Sequence, residues 1–167
     1  AVNKPLPGEG TLRIVAASDI HLGTIIGRRR FEKIVARMNA MEPDLILLPG
    51  DIVDEDLAPA IKENLGETLR ALRAPLGVYA VTGNHEYIGG AEAAVRYLTE
   101  HGVTVLRDSV AELPNGVTIV GREDRSIGQF SVARPETTDC WVAFLTSSST
   151  RSKTSLFGRS PVAEAYL

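Results

Sequence analysis

Leu45-Ile46-Leu47-Leu48-Pro49-Gly50-Asp51 decides how the rest of this chain is read. Four large apolar residues in succession, bounded by breakers, predict a strand buried on both faces that stops at a carboxylate. The same pattern recurs on either side. Upstream, Leu12-Arg13-Ile14-Val15-Ala16-Ala17 runs into Ser18-Asp19; downstream, Gly77-Val78-Tyr79-Ala80-Val81 runs into Thr82-Gly83-Asn84. Between the first two strands, Phe31, Ile34, Val35 and Met38 recur at the spacing of a helical stripe. Ile61, Leu65, Leu69 and Leu72 predict a second helix, ended by Pro75. Ala91, Ala94, Val95 and Leu98 predict a third, capped by Gly102. Val103 to Leu106 then reads as a fourth strand. Val110 to Leu113 and Val117 to Val120 read as two short strands joined by an Asn115-Gly116 turn.

Strands alternating with helices predict βαβ units, hence an α/β fold with a parallel-centred sheet and flanking helices. In such a sheet the binding crevice opens beyond the carboxyl ends of the strands. Asp19, Asp51 and Asn84 are therefore expected at one edge. Composition bounds the rest. A chain of 167 residues, 44% hydrophobic and 23% charged, holds one domain with a real core, and disorder throughout is excluded. The net charge of -3 gives no general electrostatic case for a nucleic-acid partner. Cys140 stands alone, which excludes an intrachain disulfide and any zinc site needing two cysteines. No apolar segment approaches the ~20 residues that cross a bilayer.

Asp19-Ile20-His21, Gly50-Asp51 and Gly83-Asn84-His85-Glu86 follow the three strands, and their residue types suit divalent cations. Asp19 and His21, two apart where the chain leaves its pleat, can turn toward one ion. Asp51 can place its two carboxylate oxygens on two ions. Asn84 offers a neutral amide oxygen, and His85 is expected to point past the ions toward a substrate. Two cations ~3.5–4 Å apart clamp a phosphoryl group and lower the pKa of a bridging water. His101, in Glu100-His101-Gly102, reads instead as a cation at a helix C-terminus. Arg28-Arg29-Arg30 reads as the solvated start of the first helix, and Asp54-Glu55-Asp56 as the acidic start of the second.

The motifs Asp19-Ile20-His21-Leu22-Gly23, Gly50-Asp51-Ile52-Val53-Asp54 and Gly83-Asn84-His85-Glu86 resemble those of the calcineurin-like metallophosphoesterases. Gly77 to Tyr87 resembles the bacterial branch found beside membrane helices. The resemblance runs from about Leu12 to Arg125 and implies the first half of an αββα sandwich. It implies hydrolysis of a phosphomonoester or phosphodiester by water activated at a dinuclear centre of manganese, iron or zinc. By that resemblance Asp19 and His21 bind the first metal, Asp51 bridges, Asn84 binds the second, and His85 serves catalysis as proton donor or phosphate contact. The family completes its site with three further histidines, yet this chain has none after His101. That departure motivates the alternative of a catalytically inactive, metal-binding remnant.

Residues 1–11, rich in breakers, read as a linker, and a membrane anchor upstream of them is one route to membrane association. Residues 12–125 read as the α/β domain. From 126 to 167 the pattern lapses; 146–155 holds eight hydroxyl residues in ten and shows no strand or helix period. This tail is expected to be non-native, from a frameshifted or aberrantly truncated reading, with a Ser/Thr-rich flexible terminus as the competing account. Trp141 to Leu145 reads as a strand and Val162 to Leu167 as a frayed helix. A half-sandwich is also expected to expose an apolar sheet face, which leaves oligomeric state open. Location, cytoplasmic or membrane-peripheral, is not fixed by these features.

Overall fold

A computed structural model of the chain describes residues 11–114 and 116–122, together with the strand segments 141–146, 153–157 and 165–166. Its first sheet is built from β1 (Ile14–Ala16), β2 (Leu45–Pro49), β3 (Val78–Val81) and β4 (Thr104–Val105). These strands run parallel in the order β4-β3-β2-β1. The helices are α1 (Arg28–Ala40), α2 (Ala58–Lys62), α3 (Leu65–Arg70), α4 (Asn84–Gly89) and α5 (Ala91–Glu100).

Side chains alternate across β2, and both sets are buried. Ile46 and Leu48 join Val15, Val78 and Ala80 in one core with Phe31, Val35 and Met38 of α1, Leu65 and Leu69 of α3, and Leu98 of α5. Leu45 and Leu47 join Ile14 and Val81 in a second core, closed by Leu106, Leu113, Val117 and Ile119. This second core corrects the expectation of a bare apolar face. The face is covered by a second sheet, β5 (Ser109–Glu112), β6 (Val117–Arg122), β7 (Trp141–Thr146) and β8 (Lys153–Phe157), in the order β5-β6-β7-β8. The predicted hairpin of β5 and β6 is present and antiparallel, although Asn115 of its turn lies outside the described residues.

Other readings change. The second predicted helix is two, because Asn64 adopts a left-handed conformation between α2 and α3 and breaks the hydrogen-bond ladder. Ile61 is mostly exposed, so its spacing to Leu65 was a coincidence of pattern. Of Asp54-Glu55-Asp56, Asp56 does stand at the start of α2, its carboxylate accepting the N–H of Ala58, the helix's first residue, whereas Asp54 turns toward His85. In the expected frayed helix at 162–167, Ala165–Tyr166 is a strand, β9, pairing parallel to β1. β7 confirms the strand read at Trp141. β8 occupies part of the hydroxyl-rich segment, where strand pairing through the backbone needs no apolar period.

Candidate metal centre

Each site residue stands where a parallel strand gives way to its connection, and the backbone there is held in an uncommon conformation. Asp19, His21 and Asp51 have φ of 54°, 51° and 51°, the left-handed region that few residues other than glycine adopt. Such strain persists only when surrounding bonds enforce it, and it concentrates at functional sites. The enforcing bonds are visible: the Asp19 N–H donates to the Gly50 carbonyl, the His21 N–H to the Asp51 carbonyl, and the Leu22 N–H to the Ile52 carbonyl. The β1 connection is thus laced onto the β2 connection residue by residue.

Glu86 ties in the third connection. It sits at the third position of α4, is 1% exposed, and accepts the N–H of Gly83, the reciprocal half of a capping box. Its Oε2 also accepts the Asp51 N–H at 3.0 Å, while Oε1 accepts those of Ile52 and Val53 at 2.6 and 2.9 Å. Burial raises its pKa above the usual carboxylate value and the Asp51 charge adds to the rise; the N–H donors of Val53, Gly83 and Ile52 pull it down. Gly83 is required beside it, because a Cβ there would run into the Asp51 carboxylate and N–H.

Asp19, His21 and Asp51 each bring a donor atom within 4.8 Å of the others, and a second group, His21, Asp54 and His85, meets the same limit. His85 Nδ1 lies 3.2 Å from Asp54 Oδ1 and His21 Nδ1 lies 3.9 Å from it. The two imidazoles meet edge to face, their centroids 4.4 Å apart. The His85 N–H donates to Asp51 Oδ1 at 3.0 Å. Asn84, half-buried, opens α4 immediately before His85. His101 lies apart at the end of α5, its Nδ1 2.6 Å from the Tyr97 carbonyl and its ring tilted on that of Tyr97, as a C-terminal histidine should.

These residues fit a cation. His21 Nδ1 is buried and has no hydrogen-bond partner among the described residues. Three carboxylates, Asp19, Asp51 and Asp54, surround the two imidazoles, and that local excess of negative charge is the electrostatic complement of divalent ions.

Two contributors escaped the sequence reading. In the sequence Asp54 reads as a helix-opening charge, and Glu86 stands in its motif without a role of its own. The signal for Asp54 was its place three residues after Asp51; for Glu86 it was the helix N-terminus hidden in Asn84-His85-Glu86.

A family model described as Calcineurin-like phosphoesterase matches residues 12–150. An "Uncharacterized metallophosphoesterase" of Aquifex aeolicus is 34% identical over 119 residues, which are 71% of this chain and 45% of that protein. A "Transmembrane protein with metallophosphoesterase domain" of Danio rerio is 31% identical over 132 residues, 78% of this chain and 25% of its own length. Its namesake of Bos taurus is 40% identical over 86 residues, 52% of this chain and 19% of its own. The chain therefore spans less than half the length of these curated relatives.

Proposed function

The chain belongs to the calcineurin-like phosphoesterase family, and from that premise we propose that it hydrolyses phosphate esters, monoesters or diesters, with two divalent cations at the carboxyl edge of its parallel sheet. The observation that carries this reading is the convergence of Asp19, His21 and Asp51 donor atoms on one point. Asp19 and His21 would hold the first cation and Asn84 the second, with Asp51 contributing to both. Manganese, iron and zinc all suit this mix of carboxylate, imidazole and amide oxygen. Cations bound there polarise a phosphoryl oxygen and lower the pKa of water.

The protein's own groups do the rest. An ionised Asp54 carboxylate can only accept a hydrogen bond, so His85 carries its hydrogen on Nδ1 and has Nε2 left to exchange a proton with the ester's leaving oxygen. Asp51 fixes the His85 backbone, and Glu86 fixes Asp51, so the imidazole is aimed by two successive constraints. Replacing His85 by alanine is expected to leave manganese affinity within about twofold and to lower turnover of a chromogenic phosphodiester by about 10²–10⁴-fold, the usual worth of general acid–base catalysis. Calorimetric manganese titration beside the rate assay separates the roles: loss of binding would make His85 a ligand.

One observation favours a second reading. The chain has three histidines, and His101 is committed to the end of α5, which leaves two imidazoles for the site. A metal-binding module without turnover follows if two are too few, and the same paired assays distinguish it by cation binding with no hydrolysis. The names of the Danio and Bos relatives also support membrane association of the whole protein.

A further inference from the structure

The two donor groups of the site differ in a way that bears on the choice of metal. Asp19, His21 and Asp51 offer two carboxylates and one imidazole, whereas His21, Asp54 and His85 offer two imidazoles and one carboxylate. Hydrolysis as proposed above uses only the first group for cations; Asp54 there holds the hydrogen on His85 Nδ1, and His85 binds no ion. Manganese favours carboxylate, carbonyl and water oxygens, while imidazole suits zinc.

The distances in the second group favour zinc as well. A tetrahedral zinc ion with bonds of about 2.0–2.1 Å keeps its ligand atoms about 3.3 Å apart. His85 Nδ1 lies 3.2 Å from Asp54 Oδ1, and His21 Nδ1 lies 3.9 Å from the same oxygen. A fourth donor stands beside them: Glu55 Oε1, on a half-exposed side chain, is 3.8 Å from His85 Nδ1. The carboxylates of Asp54 and Glu55 together balance the charge of one divalent ion. The Asp54 N–H donates to the Leu22 carbonyl, which pins this carboxylate beside His21. The buried His21 Nδ1, with no hydrogen-bond partner among the described residues, is open to a cation when the ring carries its hydrogen on Nε2. A neutral imidazole offers one lone pair at a time. His21 belongs to both groups, so it serves one or the other.

We propose that zinc is taken by His21, Asp54 and His85, with Glu55 closing the set, and that this occupancy excludes the catalytic arrangement. His85 then gives Nδ1 to the ion and carries its hydrogen on Nε2, where it can no longer accept a proton. The inhibition rests on the phosphoesterase reading; the zinc site does not. The test uses the full chain labelled with nitrogen-15 and follows its three imidazoles by NMR as zinc is added, with no turnover measured. His101, held at the end of α5, is the internal reference. One equivalent of zinc is expected to shift the ring nitrogens of His21 and His85 together, to convert His85 from the Nδ1–H to the Nε2–H form, and to leave His101 unchanged. Calorimetry supplies the metal contrast: His85→Ala is expected to lower zinc affinity more than about tenfold and manganese affinity less than about twofold. A His85 that keeps its Nδ1 hydrogen with zinc bound overturns the proposal on the unaltered chain. Unchanged zinc affinity in the folded His85→Ala variant overturns it too. Failure of the phosphoesterase reading shows elsewhere, as absent turnover with manganese.

Discussion

Replacing Glu86 by glutamine lowers the melting temperature of the chain by roughly 10 °C. Four backbone N–H groups converge on this carboxylate, two on each oxygen. Glutamine keeps one acceptor oxygen, so at most two of the four remain satisfied. Its NH2 group then faces the other two as donor against donor, in a position that is 1% exposed. A buried N–H left without a partner costs about 1–3 kcal/mol. Two such losses come to about 3 kcal/mol, and each kcal/mol moves the midpoint of a domain this size by about 2–4 °C. The local consequence matters as much, because the freed N–H groups are either those of Asp51 and Gly83 or those of Ile52 and Val53. Cation affinity is therefore expected to fall together with stability. Thermal melting followed by circular dichroism measures the first effect, and a melting point within two or three degrees of the parent's (about 1 kcal/mol) would mean that Glu86 does not clamp the connections.

Asp51→Asn separates charge from fold. An asparagine carbonyl can still accept the His85 N–H, so the backbone arrangement survives. What disappears is a negative charge that is 6% exposed beside Glu86 and within ligand distance of Asp19. In the metal-free chain that loss relieves like-charge crowding, and stability is expected to hold or rise. Manganese affinity is expected to fall by more than about hundredfold, beyond the 10–100-fold that outer partners of a metal site cost when removed. Titration of both proteins under the same conditions checks this. Equal affinities would remove Asp51 from the ligand set.

The parallel sheet was legible because β2 buries both faces, so its sequence is a plain apolar run with no alternation to mistake for anything else. Asp19, His21 and Asp51 were legible for a related reason: an apolar strand that ends on a carboxylate marks the edge where the fold opens. What stayed hidden was local and aperiodic. α4 has six residues, too few to display a stripe, and it ends on a glycine, Gly89. Asp54 lies in a connection, where no period says which way a side chain turns. Glu86 looks like an ordinary first-turn acid until four N–H groups are seen to meet on it. The second sheet depends on pairing between β6 and β7, which are far apart in sequence, and β8 pairs through its backbone within a hydroxyl-rich stretch that carries no strand signal. Asn64 broke a helix whose apolar spacing ran on regardless.

The most direct test of the central claim is hydrolysis of a chromogenic phosphodiester by the chain after chelation, and again after manganese is restored. The account predicts that chelation abolishes turnover and that manganese recovers it. Turnover that survives chelation unchanged, or none with manganese present, would contradict it.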